Sequence, residues 1–176
     1  MSTRRIAANA AMLTLVLGFA AAVAETPNLG RPLGEADIAA WDITIFPDGR
    51  GLPAGSGTAA QGAKIYAEQC SACHGDNGRN GLYGSVVGNP PLDRIDAVKT
   101  IANFWGFPTT VFDFIRRAMP ATQPRTLTAD QVYALVAYIF AENKLIAETD
   151  VMNAETLPKV KMPNRDNFII RFPDRI

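Results

Sequence analysis

Histidine and cysteine are almost absent from this sequence, which has one histidine and two cysteines among its 176 residues. All three fall inside five consecutive positions, Cys70-Ser-Ala-Cys-His74. A random arrangement would very rarely place such scarce residues together, so an accident of packing is a poor explanation. We therefore infer that one chemical role requires the two thiols and the imidazole at this spacing.

The sequence also lacks an excess of charge of either sign, with 17 basic and 17 acidic side chains. A neutral chain offers no basic surface of the kind that binds nucleic acid or anionic lipid, and neither partner is predicted. Apolar residues make up 48% and charged residues 19% of the chain, proportions that are ordinary for a globular protein. This length and composition predict one domain with appendages.

A long apolar run occurs only near the start of the sequence. Arg4 and Arg5 precede an almost continuously apolar stretch at 10–21, and small residues lead up to Ala24. This order is typical of an export signal, so we predict cleavage after Ala24, a periplasmic protein and no membrane attachment after cleavage. The alternative is an uncleaved membrane anchor, because residues 6–24 are long enough to span a bilayer.

The remaining sequence divides by composition into three parts. Residues 25–57 are rich in proline and glycine and predict a wrapping segment with one short helix at 34–41. Residues 58–147 carry helical patterns, and residues 148–176 contain three prolines and scattered charges that predict an extended arm. Both terminal segments are longer than a small domain requires. We expect them either to clasp a partner subunit or to pack on their own domain.

Apolar residues recur with helical periodicity in the central part. The clearest pattern begins at Ala129, where Thr128 and Gln131 form a capping box and one apolar face continues toward Asn143. Glycine and proline between residues 105 and 108 separate two other patterns. The predicted helices are 58–70, 93–104, 109–118 and 129–143. The fold class is therefore predicted to be all-α.

The five-residue stretch is the attachment sequence of a c-type haem. Its spacing lets two thiols reach two vinyl groups at one porphyrin edge, while the following imidazole turns under the ring to the iron. A disulfide would close a very short loop and leave His74 unexplained, and a thioredoxin-like site needs a βαβ context. A zinc site would need a distant fourth ligand. We predict one covalent haem c attached to Cys70 and Cys73, with His74 as an axial ligand of the iron.

The scarcity of histidine also restricts the second axial ligand. His74 is the one histidine, so the choices within this chain are methionine, lysine, water or an open position. Met119 lies in a proline-containing loop between two predicted helices, from which its side chain can reach across the porphyrin. Met152 and Met162 follow the last predicted helix and would need the arm to fold back. We predict Met119 as the second ligand; the alternative is an ordinary core methionine.

The chain resembles the class I cytochromes c at Gly62, Tyr66, Cys70-Ser-Ala-Cys-His74, Pro90-Pro91, Met119-Pro120 and Tyr138. The resemblance implies the class I cytochrome c fold, a small all-α domain around one covalent haem, here placed at 58–147. In that family a glycine of the first helix lets an aromatic residue of the last helix pack closely, which matches Gly62 and Tyr138. A proline carbonyl orients the axial imidazole in the family, a role that Pro90 or Pro91 would take here.

A narrower resemblance covers most of the chain after the export signal. Segments outside the haem motif are similar to the cytochrome subunit of the Sox sulfane (sulfur) dehydrogenase and to related sulfite dehydrogenase cytochromes. These segments are 29–32, 38–43, 51–57, 103–105, 112–120 and 157–164. The resemblance implies an electron-transfer subunit, not itself an enzyme. It would accept electrons from a sulfite-oxidase-type molybdenum dehydrogenase acting on sulfite or sulfane sulfur and pass them to a downstream cytochrome or oxidase.

Two other functions stay open at this point. One is a general periplasmic electron carrier that serves another dehydrogenase. The other is a haem enzyme or sensor with an open coordination position, although the chain has no second histidine to act as an acid or base. The Sox subunit often carries two haem domains, whereas this chain has one haem motif, so the sulfur substrate of the donor enzyme also stays open.

Overall fold

The computed structural model describes residues 29–39 and 41–168. Contacts divide the chain into two units, Met1–Asp42 and Ile43–Ile176. The predicted export signal, residues 1–24, lies outside the described residues. Within the described ranges, no helix combines the length and the apolar character that crossing a bilayer requires.

In the part of the first unit that the structure describes, a short helix, α1, spans Glu35–Ala39. Its first turn is held by Asp37, whose carboxylate accepts hydrogen bonds from the Gly34 N–H at 3.0 Å and from Arg31 at 2.8 Å. This local bonding explains why a helix starts directly after Gly34. The short helix predicted for this region is confirmed.

Two helices form the centre of the second unit. Helix α2 spans Ala59–Gln69 and begins at a capping box between Thr58 and Gln61. Helix α6 spans Ala129–Glu142 and begins at the predicted capping box of Thr128 with Gln131. Residues 132–141 of α6 are all buried, so this helix is enclosed on every side. The predicted helices at 58–70 and 129–143 are confirmed within one or two residues.

Helix α2 crosses α6 at Gly62, as the family resemblance implied. A Cβ at this position would overlap the backbone carbonyl of Ala134 and come within 2.8 Å of the Tyr138 Cβ. The absence of a side chain therefore sets how closely the two helices approach. The ring of Tyr138 also packs on Tyr66, with centroids 5.0 Å apart and planes tilted by 46°.

A third long helix, α5, spans Pro108–Ala118 and packs on α6. Val111, Phe112 and Ile115 are buried, and the Phe112 ring lies 4.5 Å from the Tyr133 ring. Pro108 occupies the first helical position, where its missing N–H has no intrahelical partner to lose. The helix predicted at 109–118 is confirmed.

The helix predicted at 93–104 is largely wrong. The helical part, α4, is one turn at Ile101–Phe104, because Thr100 adopts an extended conformation as its N-cap. The Thr100 N–H donates to Asn103 Oδ1 at 2.7 Å, and the Thr100 hydroxyl donates to the Gly88 carbonyl. Most residues of 93–99 are exposed, so their periodic pattern has no apolar surface that would stabilise a longer helix.

A two-stranded antiparallel ribbon, which the sequence did not predict, joins the two ends of the second unit. Strand β1 is Ser56–Thr58 and strand β2 is Val151–Asn153, with Gly57 opposite Met152. Further along the predicted arm, Leu157 and Met162 are buried in the same core as Met152. The described part of the arm therefore packs on its own domain, which agrees with the second alternative offered for that segment.

Candidate functional site

The cysteines and the histidine lie on a single helical turn. Helix α2 ends at Gln69, Cys70 departs from helical geometry with φ −122° and ψ −37°, and helix α3 then spans Ser71–His74. The Cys70 carbonyl accepts hydrogen bonds from the N–H groups of Cys73, at 3.1 Å, and His74, at 2.9 Å. Both cysteines are free thiols, so the disulfide alternative is not realised.

A glycine-rich loop folds back against this turn. Gly75 ends α3 with φ +79°, a conformation that favours glycine. Gly81 lies against the backbone of Cys73 and His74, where a Cβ would overlap both. The Tyr83 N–H then donates to the Cys73 carbonyl at 3.0 Å. These contacts hold the loop beneath the turn that carries the imidazole.

The imidazole of His74 is oriented by the same loop. Its Nδ1 lies 3.3 Å from the Gly84 carbonyl oxygen. Because a carbonyl can only accept, this contact is a hydrogen bond when Nδ1 carries the proton, and in that neutral tautomer Nε2 keeps its lone pair. A metal-bound histidine commonly has such a partner on its other ring nitrogen.

The carbonyl partner is not one of the two prolines expected from the family. The Pro90 carbonyl instead accepts a hydrogen bond from Asn103 Nδ2 at 2.9 Å. The partner at Gly84 could not be identified from the sequence, because every residue of the loop contributes a similar backbone carbonyl. The high glycine content of this loop is the sequence feature that could have indicated a close backbone contact with His74.

Two tyrosines connect the site to the main helices. The Tyr66 hydroxyl donates to the Gly75 carbonyl at 3.1 Å, at the point where α3 ends. The Tyr138 hydroxyl lies 3.5 Å from Asn77 Oδ1 in the following loop. Burial raises the pKa of both phenols, and Cys70 adds to the effect on Tyr66, so both remain neutral donors at neutral pH.

Cys70 is the more enclosed of the two thiols. Burial, followed by the nearby Cys73, raises the pKa of the Cys70 thiol to about 11. A thiol with so high a pKa is protonated at neutral pH and is a poor nucleophile. Cys70 thus lacks the thiolate character of a catalytic cysteine.

Met119 caps the C-terminal end of α5. Its N–H donates to the Ile115 carbonyl at 3.0 Å, and its backbone is extended, with φ −118° and ψ 147°. The side chain is partly buried against the core, whereas Met152 and Met162 are core residues. Met119 thus differs from Met152 and Met162 in being less buried and in lying at the end of a helix.

Large apolar side chains lie exposed in the segment that follows the motif. Leu82 is 83%, Tyr83 73% and Ile95 96% exposed. Contiguous exposed apolar side chains can mark a binding surface, and Leu82 and Tyr83 lie in the loop that the Tyr83 N–H ties to Cys73. Two free thiols and an imidazole on one turn, beside these two exposed side chains, fit a covalently attached porphyrin.

A bare metal ion fits these residues less well. Among the described residues, no three side chains of histidine, cysteine, aspartate or glutamate form a group that could hold a metal ion. The zinc alternative therefore lacks further ligands in the part of the chain that is described.

Comparison with a solved structure identifies the fold. A chain of the sulfane dehydrogenase SoxCD from Paracoccus pantotrophus superposes with a TM-score of 0.75 and 34% sequence identity, covering 85% of this chain and 73% of that one. Residues 57–139 also match the family described as cytochrome c oxidase, cbb3-type, subunit III. The chain belongs to the class I c-type cytochromes. The predicted cytochrome c fold is thereby confirmed, and membership implies haem c as the cofactor of this cytochrome.

Two curated relatives resemble the cytochrome over shorter stretches. Thiosulfate dehydrogenase of Stutzerimonas stutzeri (strain A1501) is 33% identical over 109 residues, which cover 56% of this chain and 35% of the relative. The cbb3-type cytochrome c oxidase subunit CcoP of Azospirillum sp. (strain B510) is 38% identical over 64 residues, which cover 30% of this chain and 22% of the relative. The cytochrome therefore matches about a third or less of the length of these relatives.

Proposed function

We propose that this cytochrome is a monohaem electron-transfer subunit of a sulfur-compound dehydrogenase. It accepts electrons from a sulfite-oxidase-type molybdenum subunit that oxidises sulfite or sulfane sulfur, and passes them to a downstream cytochrome or oxidase of the respiratory chain. The observation that carries the proposal is the 34% identity with a chain of the sulfane dehydrogenase SoxCD over 85% of this chain. Similarity to a thiosulfate dehydrogenase adds a second relative named for sulfur chemistry.

Four residues hold the haem in this proposal. Cys70 and Cys73 would form the covalent thioether attachments, and His74 and Met119 would bind the iron. The free thiols on one helical turn and the engaged Nδ1 of His74 support the first three assignments. The position of Met119 at the end of α5 supports the fourth.

The haem supplies reversible one-electron oxidation and reduction when it is bound. The protein's part is to fix the ligands and to exclude water. The Gly84 carbonyl holds the imidazole in one tautomer and orientation. A thioether as second ligand favours a higher reduction potential than a second imidazole would. These features suit an acceptor of electrons from an enzyme.

The proposed location is the periplasm, after cleavage of the signal at Ala24. Covalent attachment suits an exported protein, because a haem lost outside the cell is not easily replaced. Mass spectrometry of the mature protein tests the cleavage. A chain that begins at Glu25 agrees with it, and a chain that retains residues 1–24 supports the anchor alternative.

Stopped-flow reduction tests the function. Purified oxidised holoprotein is mixed with a sulfite-oxidising molybdoenzyme and sulfite, and the haem absorbance is followed. We expect rapid reduction that requires both enzyme and substrate, with one haem per chain by haemochrome assay. Reduction by dithionite but not by the enzyme and sulfite would count against the proposed donor. Co-purification with a molybdenum protein distinguishes a dedicated subunit from a general carrier.

The similarity to thiosulfate dehydrogenase favours one alternative, in which the cytochrome itself oxidises a sulfur substrate. Such an enzyme would reduce its own haem when thiosulfate is added without a partner. The open-coordination alternative predicts a high-spin spectrum and fast binding of carbon monoxide by the native protein. Neither result is expected from an iron with two protein ligands.

A further inference from the structure

The predicted arm ends, within the described residues, in a segment whose contacts the proposed function does not use. Met162 is buried in the core and anchors it. Two turns follow: the Arg165 N–H donates to the Met162 carbonyl at 3.1 Å, and the Asn167 N–H donates to the Asn164 carbonyl at 3.3 Å. Residues 162–168 are named the strap here.

The strap binds one short segment, Phe104–Phe107, which is named the junction. Asn164 Nδ2 donates to the Phe104 carbonyl at 2.7 Å. Asn167 Nδ2 in turn donates to Asn164 Oδ1 at 3.1 Å, which orients the Asn164 amide. The Arg165 guanidinium carbon lies 4.2 Å from the centroid of the Phe107 ring.

An aromatic contact completes the interface. The Phe168 ring covers Gly106, where a Cβ would come within 2.7 Å of the Phe168 Cε2 atom. The same ring meets Phe104 edge-on, with centroids 6.4 Å apart. The junction is thus bound at both ends and in the middle by the strap.

The conformation of the junction depends on contacts with residues outside it. Helix α4 is a single turn, so its last carbonyls have no partner within the helix, and Asn164 provides one for Phe104. Phe107 is the N-cap of α5 and makes no side-chain capping bond. Local bonding in the one-turn helix α4 or at the N-cap residue Phe107 therefore cannot by itself fix where α5 starts.

The elements on either side of the junction lead to the loop after the motif and to Met119. On one side, Asn103 of α4 holds the Pro90 and Val98 carbonyls, at 2.9 and 2.8 Å, and so organises the loop after the motif. On the other side, α5 runs from Pro108 to Ala118 and ends at Met119.

We propose that the strap positions the sixth ligand of the iron by holding the junction, and that Asn164 and Arg165 are positioning residues for Met119. The inference rests on the proposed function, in which Met119 binds the iron. Helix α5 is a rigid element, so a shift at its first turn moves its last residue. Weakening the strap therefore increases the population in which the methionine has left the iron.

Carbon monoxide measures that population. It binds ferrous iron at an open sixth position, so its binding rate follows the fraction of molecules in which Met119 is detached. Removing one exposed cation–π contact or one hydrogen bond is expected to increase this fraction by about three- to fivefold. Hydrogen exchange of the α5 amides is an independent measure, since opening exposes them to solvent.

The experiment compares ferrous holoproteins carrying Asn164→Ala, Arg165→Ala, Arg165→Lys or Lys161→Ala. Lys161→Ala is the matched control, because it removes an exposed cation just before the strap. We expect about three- to fivefold faster carbon monoxide binding and faster α5 exchange in the two strap alanine variants. Arg165→Lys keeps a cation near the Phe107 ring, so its carbon monoxide binding rate should lie between those of Arg165→Ala and the native protein. Lys161→Ala should match the native protein in both measurements.

The outcomes separate this inference from the proposed function. Methionine ligation gives the oxidised holoprotein a near-infrared sulfur-to-iron charge-transfer band. If the oxidised native protein shows this band and its ferrous form binds carbon monoxide slowly, but the strap variants match Lys161→Ala, the strap does not position the ligand. If the native protein lacks the band and already binds carbon monoxide rapidly, the ligation of Met119 itself fails. Should a single strap variant not fold, the other strap variant and the exchange rates of α5 still decide the question.

Discussion

Gly62 of α2 lies against the backbone carbonyl of Ala134 in α6. A Cβ at Gly62 would overlap that carbonyl and come within 2.8 Å of the Tyr138 Cβ. The close approach brings the ring of Tyr138 onto Tyr66, whose hydroxyl holds the end of the helical turn that carries His74. The helix crossing therefore supports the proposed haem site directly.

Replacing this glycine should destabilise the fold. In Gly62→Ala, helix propensity alone favours alanine by about 1 kcal/mol. The added methyl group forces α2 and α6 apart, and we expect a net decrease of about 2 kcal/mol in the free energy of unfolding. Urea denaturation followed by circular dichroism measures it. Ala60→Val, on an exposed position of the same helix, is the control, and an equal effect of the two substitutions would show that the crossing is not tight.

A buried amide organises the loop that leads to α4. Asn103 donates to the Pro90 and Val98 carbonyls and accepts from the Thr100 N–H. Asn103→Ala leaves these groups without partners, so we expect a loss of about 2–4 kcal/mol in the free energy of unfolding. Asn89→Ala, at an exposed position, should change it little. Equal denaturation midpoints for the two variants would contradict the role given to Asn103.

Alkaline pH should destabilise the protein through Tyr133. This side chain is fully buried, its hydroxyl donates to the Pro53 carbonyl at 2.9 Å, and burial raises its pKa from 10.0 to about 12. Between pH 10 and about pH 12 the unfolded chain loses the phenol proton while the folded chain keeps it. The contribution of Tyr133 to the free energy of unfolding is thus fully present below pH 10 and decreases as the pH rises toward 12.

Tyrosine variants test this pH dependence. Tyr133→Phe cannot ionise, so its urea midpoint should fall less steeply above pH 10 than that of the native protein. Tyr83→Phe, which changes an exposed phenol, should keep the native slope. If Tyr133→Phe also keeps the native slope, burial of Tyr133 does not cause the alkaline loss.

Local signals predicted the long helices well. The capping residues Thr128 and Gln131 and the apolar face of α6 are close in sequence, and so the start of that helix could be read directly. Gly62 and Tyr138 could be paired through the family resemblance. The Cys-x-x-Cys-His spacing predicted that three functional side chains share one turn, which the structure has at Ser71–His74 and the preceding Cys70.

Features that depend on distant contacts could not be predicted. Helix α4 starts at the N-cap Thr100, whose hydroxyl also donates to the distant Gly88 carbonyl, and the periodicity of 93–104 reveals neither feature. The ribbon pairs Gly57 with Met152, and each strand is too short to show a repeating pattern. The carbonyl beside His74 belongs to Gly84, which carries no side-chain signal at all.

Ligation of the iron by Met119 is tested most directly by the near-infrared sulfur-to-iron charge-transfer band of the oxidised holoprotein. Three substitutions are compared: Met119→Leu, and Met152→Leu and Met162→Leu as controls at the two buried core methionines. We expect one covalent haem per chain and a band that disappears in Met119→Leu alone. A band that persists in Met119→Leu, or is absent from the native protein, would contradict it.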